Sequence, residues 1–277
     1  MKIEGVAAVT GAGQGIGLAV VTELARRGFD VLAMVLEPAQ VAVVADATEG
    51  LNGKVECVII DVTKPGDFTF PDNLSVLVNN AGIRLQNYPV EEFRLDDWRK
   101  IFEVNFFGAV EMTTRAIPIL RKAGRGVICN ITSGSLLHWL AFLGPYRAAK
   151  SALSSMSETL RVELTQFGIR VVEILPGFTE SGLNKDSTAW RLADAAKFPA
   201  YEPMAQALFA ANQKIHAQPT PAAEAAVAIV DAILDDNGPM RYGTDAASDA
   251  GLKMWRESSD EEVAKRSLAI YSDLLPK

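Results

Sequence analysis

The segment from Val6 to Gly28 constrains the fold more than any other part of the chain. A short apolar run, Val6 to Thr10, enters the turn Thr10-Gly11-Ala12-Gly13-Gln14-Gly15-Ile16-Gly17, which opens into an amphipathic stretch. There Ile16, Ala19, Val20 and Leu24 fall three to four residues apart on one face, Glu23, Arg26 and Arg27 lie largely on the other, and Gly28 ends the helix. Strand, tight turn and helix in that order form half of a parallel crossover unit. Further β-rich apolar runs follow at Val31 to Leu36, Val55 to Ile60, Ser75 to Val78, Val127 to Ile131 and Arg170 to Leu175, each separated by enough chain for a helix. Strands that are apolar without alternation are covered on both faces, and the right-handed crossover rule then predicts an α/β fold built on a doubly wound parallel sheet.

With 277 residues, 49% of them hydrophobic, the chain can bury one sizeable core and reads as a single domain over residues 1–277. Its 27 basic and 34 acidic side chains leave a net charge of −7, so there is no positive field to attract nucleic acid or anionic lipid. Cys57 and Cys129, with His138 and His216, are too scattered for a disulfide framework or a zinc site, which predicts a cytoplasmic, metal-free protein. The run Val6 to Val9 is too short for a signal-peptide core, and Leu136 to Leu143 is interrupted by His138, so no membrane insertion is expected. Residues 181–219 lack a strand signal but carry Trp190, Leu192, Phe198, Tyr201, Met204 and Leu208, the pattern of a helical insertion. A last crossover helix is expected from Thr220 as cap, with Pro221 in the first turn, through Ile229 and Ile233, then a strand at Met240 to Tyr242 and a polar helical tail over 244–277.

The glycine turn carries a specific chemistry. Glycine lets the backbone bend tightly and approach a pyrophosphate, and the free N–H groups of the following helix favour its charge. The spacing is T-G-x-x-x-G-x-G, with Ile16 where the commoner G-x-G-x-x-G form has its third glycine. An ordinary glycine-rich connection is the alternative. Further signals follow in order: Asp61-Val62 after the third strand, Asn79-Asn80-Ala81-Gly82 after the fourth, Asn105 in Val-Asn-Phe-Phe-Gly, Ser133 after the fifth, then Tyr146 and Lys150. Taken singly, Asp61 and Asn79 can be local turn formers, and a Y-x-x-x-K pair can be a surface pair. On a helix, Tyr146 and Lys150 share a face, which brings the ammonium towards the phenol.

Together these motifs resemble the short-chain dehydrogenase/reductase family, over residues 5–180 by motif and the whole chain by length. The resemblance implies a Rossmann-type fold and an NAD(P)-dependent oxidoreductase that interconverts a secondary alcohol and a ketone. It implies a catalytic tetrad of Asn105, Ser133, Tyr146 and Lys150. Ser133 would hydrogen-bond the reacting oxygen, Tyr146 would act as acid/base, and Asn105 would hold a water linking Lys150 to solvent. A phenol ordinarily ionises near about pH 10, so acid/base work at neutrality needs about 4 kcal/mol of preferential phenolate stabilisation from nearby cations. Dinucleotide contacts are implied for Gly11, Gln14, Gly15, Ile16, Gly17, Leu36, Glu37, Asp61, Val62, Asn80, Ala81, Gly82, Tyr146, Lys150, Pro176, Gly177, Thr179 and Ser181, with Asp61 on the adenine. A strand merely stopped by Pro176-Gly177 is the plainer alternative at that turn.

Cofactor choice turns on the end of the second strand, Val35-Leu36-Glu37. By the resemblance, Val35 stands where a ribose-binding Asp is usual and Leu36 where NADP users often place Arg. Glu37 is either a ribose ligand or a solvated loop carboxylate, Gln14 adds no charge, and the reading favours NAD over NADP. Leu136, Leu137, Trp139, Leu140, Phe142 and Leu143 around His138 read as an apolar wall for a bulky hydrophobic alcohol or ketone, with Ser133, His138 and Tyr146 as substrate contacts, or equally as core or subunit interface. Residues 181–219, with Trp190 and Phe198, would act as a lid, and the tail is similar to the steroid and retinoid branch. A homodimer or homotetramer through residues 98–120 and 151–166 is implied. Competing readings are a catalytically silent dinucleotide sensor or scaffold, and an acyl-carrier-protein ketoreductase. Arg84, Arg94, Arg99, Arg121, Lys122 and Arg125 read as solvated helix faces rather than the docking patch that the ketoreductase needs.

Overall fold

Strand β1 (Val6–Thr10) lies inside a seven-stranded parallel sheet of order β3-β2-β1-β4-β5-β6-β7, with β2 (Asp30–Val35), β3 (Val55–Ile59), β4 (Leu74–Asn79), β5 (Gly126–Ile131), β6 (Ile169–Ile174) and β7 (Arg241–Tyr242). The computed structural model describes residues 5–180, 194–195, 197–215 and 219–274. β1 pairs with β2 on one side, Ala7 beside Val31, and with β4 on the other, Ala7 beside Val76. The strand order reverses there, and in open parallel sheets a crevice forms outside the carboxyl ends of the strands at such a point.

Alternate residues of β1 feed two cores, which is why the run is apolar without alternation. Ala7 and Val9 join Val20, Val21 and Leu24 of α1 (Gly15–Arg26) and Ile229, Val230 and Ile233 of α7 (Ala222–Leu234). Ala8 joins Leu77 and Ile128 against Met112, Ala116 and Leu120 of α4 (Gly108–Ala123) and Leu160 and Leu164 of α5 (Gly144–Leu164). Each fully buried leucine or isoleucine contributes about 1.5–3 kcal/mol. The short helices α2 (Ala39–Thr48) and α3 (Leu95–Phe102) complete the layers, α3 running into a π-turn at Glu103–Phe107 before α4. At the sheet edge the expectation of cover on both faces fails, for Ile59 of β3 is 52% exposed.

Helix α1 stops at Arg26, and Gly28, at φ +90°, ends it as expected. One boundary differs from the sequence reading. Helix α7 begins at Ala222 with Pro221 before it and no side-chain cap, because Thr220 is engaged elsewhere. Its backbone bridges Thr179 and its hydroxyl meets Asp245 Oδ2 at 3.2 Å. Within the expected insertion, α6 (Glu202–Ile215) is helical, while Ser181, Trp190, Leu192 and His216 lie outside the described residues. The tail forms α8 (Ala246–Arg256) and α9 (Asp260–Leu268), each opened by a capping box, Asp245 with Ser248 and Ser259 with Glu262. It buries Leu252, Val263 and Tyr271, so a segment polar by composition folds back on the body of the domain. Among the described residues no helix is long and apolar enough to cross a membrane, and no His, Cys, Asp and Glu group could hold a metal ion.

Candidate active site

The glycine turn is held from below by one hydroxyl. Thr10 Oγ1 accepts the N–H groups of Asn80 and Ala81 at 3.0 and 2.9 Å. Asn80 Nδ2 donates back to Thr10 O and Gly11 O, at 2.9 and 3.2 Å. The turn after β1 and the turn after β4 are therefore one unit. Space is the reason for its glycines: a Cβ on Gly17 would lie 2.2 Å from Gly11 O and 2.5 Å from Asn80 Nδ2. Gly11 and Gly15 also take positive φ. Helix α1 begins here with no side-chain cap and no acidic residue in its first turn, which leaves its N–H groups available to an anion.

The end that holds Ser133, Tyr146 and Lys150 is built on β5 and α5. Lys150 sits one helical turn after Tyr146, is 3% exposed, and donates from Nζ to Ile131 O at 2.7 Å. Burial lowers its pKa to about 8. Ser133 takes extended backbone after β5 and its Oγ accepts the N–H of Ser135 at 3.1 Å, which keeps the hydroxyl at the end of the sheet. Asn105 occupies the π-turn, where helical hydrogen bonding is loosened. Its amide is held by the backbone of Ile83, Oδ1 accepting at 2.7 Å and Nδ2 donating at 2.9 Å. Gly82 lies between, so that a Cβ there would be 3.4 Å from Asn105 Oδ1 and 3.6 Å from Lys150 Nζ. Beneath the site Asn79 donates to Thr113 and Asn130, and Asn130 donates to Ser157, tying β4, β5, α4 and α5 together.

One cleft of about 1180 Å³ joins both ends. It is lined by Gly11, Gln14, Gly15, Ile16, Gly17, Leu36, Asp61, Val62, Asn80, Ala81, Gly82, Ser133, His138, Tyr146, Lys150, Pro176, Gly177 and Thr179, all singled out by sequence. Asn105 stands behind the wall, and Glu37 is not brought to it: its side chain is exposed and its N–H donates to Gln40 Oε1 at 3.1 Å. Asp61 lines the cleft and also makes the local turn, accepting from Thr63 N and Oγ1. Of the expected apolar wall, Leu137, Trp139, Leu140, Phe142 and Leu143 face the cleft, whereas Leu136 packs with Leu137, Leu175 and Leu252. Phe198 meets the Tyr88 ring edge-on at 5.1 Å.

Arg84 is a correction. It does not lie on a solvated helix face but lines the cleft, its guanidinium carbon 6.0 Å from the centre of the Tyr146 ring. The sequence reading also missed Gln40, whose Oε1 accepts the N–H of Leu36 at 2.9 Å, and the tail residues Ser248, Met254, Ser267 and Ile270 that close one side of the cleft. The tail is anchored there by Trp139 N donating to Ser267 Oγ at 3.0 Å. Phe142 holds φ +65°, a conformation that costs a non-glycine residue about 1–3 kcal/mol. The compensation is burial against Ala195 and Ala205, with its ring against Tyr201.

The chain belongs to the short chain dehydrogenase family, whose pattern it matches over residues 5–192. It is 34% identical over 181 residues to the uncharacterised oxidoreductase YusZ of Bacillus subtilis, covering 62% of this chain and 64% of that protein. It is 32% identical over 189 residues to retinol dehydrogenase 16 of Mus musculus, covering 65% and 58%. The match thus spans about three fifths of each of these relatives. Among solved structures, a short-chain dehydrogenase from Streptomyces avermitilis is 25% identical with a TM-score of 0.71, over 98% of this chain and 97% of that one.

Proposed function

We propose that this protein is an NAD(P)-dependent oxidoreductase that interconverts a secondary alcohol and a ketone, with Tyr146 as the acid/base. The observation that carries this reading is the single cleft in which the glycine cradle and the Tyr146–Lys150 pair share a wall. The residues fit a dinucleotide: Gly11 and Gly17 let the turn pack tightly on Asn80 and Ala81, where a Cβ would clash, and the start of α1 is free of any capping side chain. Gly11, Gln14, Gly15, Ile16 and Gly17 would hold its phosphates, Asp61 and Val62 its adenine, and Asn80, Ala81, Gly82, Pro176, Gly177, Thr179 and Ser181 the stretch towards the nicotinamide. When bound, the nicotinamide supplies the acceptor or donor of hydride.

Each remaining part falls to a side chain. Ser133 Oγ donates to the reacting oxygen, and Tyr146 Oη takes or returns the hydroxyl proton. Lys150, held in place by Ile131 O, provides the cation that favours the phenolate. Asn105, locked to the Ile83 backbone, acts by position: the π-turn around it loosens backbone carbonyls that can hold the water expected to link Lys150 to solvent.

NAD is the favoured cofactor in this reading. The cleft end beside Leu36 is lined by Leu36 and Gln40 without a cation to meet a 2′-phosphate, and Gln40 Oε1 accepts from the N–H groups of Leu36 and Glu37. The substrate is bulky and hydrophobic, bounded by Leu140, Phe142, Leu143, Leu208 and Phe209, with His138 beside it. The name of the mouse relative, a retinol dehydrogenase, agrees with such a substrate. The described part of the insertion, 197–215, acts as lid, with Ala205, Leu208 and Phe209 in the cleft wall, and 244–274 act as a closing tail. Assembly through α3 to α5 belongs to the same reading, for Val162 is 80% exposed on α5.

The test mixes the protein with NADH or NADPH and a panel of ketones graded by apolar volume, following loss of reduced-nicotinamide absorbance. Turnover that rises with apolar volume is expected. No turnover across the panel with proven dinucleotide binding would favour a silent sensor instead.

A further inference from the structure

We propose that the substrate carries a carboxylate close to its reacting carbon and that Arg84, supported by Asn87, holds it. The proposal rests on the oxidoreductase reading of the cleft and names the polar end of its substrate.

Arg84 stands in the loop after Asn80-Ala81-Gly82, half-buried and facing the cleft beside Tyr146. Among the described residues its one hydrogen bond runs from Nη2 to Asn87 Oδ1, at 2.5 Å, while Nε is sealed from solvent with no partner. No carboxylate among the described residues pairs with it. Several other arginines of this chain are compensated by carboxylates: Arg27 meets Glu23 and Asp231, Arg115 meets Glu111, and the half-buried Arg241 meets Glu173 and Glu158, while the half-buried Arg147 and Arg161 donate to the backbone carbonyls of Ser135 and Val171. Burial depresses the Arg84 pKa, and the one titratable group acting against that is the neighbouring Tyr146. A desolvated guanidinium without a counter-ion is costly, and its cost is removed when an oxyanion enters the cleft.

Asn87 adds a second donor. It is 2% exposed, its N–H is held by Asp194 Oδ2 at 3.2 Å, and its Oδ1 is spent on Arg84. Its Nδ2 is buried without a partner. A planar cation and an amide donor then converge on one wall, and both offer hydrogen to an acceptor that carries none. The dinucleotide phosphates are served by the backbone of the glycine turn, whereas Arg84 lies on the Tyr146 side where the substrate reacts. The apolar residues Leu140, Phe142 and Leu208 line the rest of the cleft, so the hydrocarbon body and the carboxylate have separate places.

The experiment compares oxo acids with their methyl esters, the ketone being adjacent to the carboxylate or one or two carbons away, for wild type, Arg84→Gln and Asn87→Asp. Asn87→Asp sets a carboxylate beside Arg84 without deleting it. We expect at least one acid to exceed its ester by about tenfold or more in kcat/KM in the wild type, and that ratio to fall to about one in both variants. Circular dichroism and dinucleotide binding establish that the variants are folded, and either folded variant suffices. Where the ketones turn over, acids no better than esters in the wild type, or an acid preference that survives in a folded variant, would overturn the proposal. A second readout needs no turnover: calorimetry of hexanoate against hexanamide on the protein with and without dinucleotide. Preference for hexanoate, lost in the variants, supports the carboxylate site even if every ketone fails and the oxidoreductase reading falls; equal binding of the two overturns it.

Discussion

Lys150 Nζ meets Ile131 O at 2.7 Å, fastening α5 to the end of β5 and burying an ammonium that has no carboxylate partner among the described residues. Its pKa is lowered from 10.5 to about 8, burial being the cause. Between those two values the unfolded chain binds more protons at this residue than the folded one, so its contribution to stability rises with pH across that window. Below about pH 8 the full cost of the buried charge is present. Lys150→Met should therefore gain most relative to wild type below that pH, with the difference shrinking towards pH 10.5, while turnover is lost. Thermal melts of both proteins across this range check it; a gap that does not vary with pH would contradict the assignment.

Tyr146→Phe keeps the ring and removes the hydroxyl. Turnover should fall by about a hundredfold to ten-thousandfold with dinucleotide affinity unchanged. Steady-state assays and fluorescence titration with NADH measure the two separately. Near-normal turnover would falsify the role given to the phenol.

Thr10 Oγ1 serves two backbone N–H groups, and Thr10→Val keeps the shape of the side chain while orphaning both. The loss should be about 2–4 kcal/mol, measured by denaturant unfolding. It should also weaken dinucleotide binding, since the two turns part. A change below about 0.5 kcal/mol would show that the N–H groups find other partners.

Leu36→Arg introduces a cation where none lines the cleft near Gln40. The ratio of kcat/KM with NADP to that with NAD should rise by about tenfold or more. An unchanged ratio would displace the ribose end of the cofactor from this position.

Much of the fold was legible because its signals are local. The apolar strand, the glycine turn and the face of α1 each lie within a few residues, and their repetition along the chain specifies a parallel sheet. Most of the cleft was legible for the same reason, since loops at the strand ends converge once the sheet forms. Arg84 was not. Its charge resembles that of any exposed arginine, and only the packing of its loop against α5 strips it of water and sets it beside Tyr146. The tail is helical as its pattern predicts, but its polar composition did not show that Leu252, Val263 and Tyr271 pack inward.

By itself, then, the amino-acid order determined the doubly wound architecture and the glycine turn, because short-range periodicity and spacing carry that information, while the family resemblance of its motifs pointed to Ser133, Tyr146 and Lys150. Tertiary structure alone decided which charges go unpaired, which backbone groups hold Asn105 and Lys150, and which distant helix closes the cleft. Desolvation and partnership are properties of neighbours in space, and neighbours far apart in the chain leave no mark on local pattern.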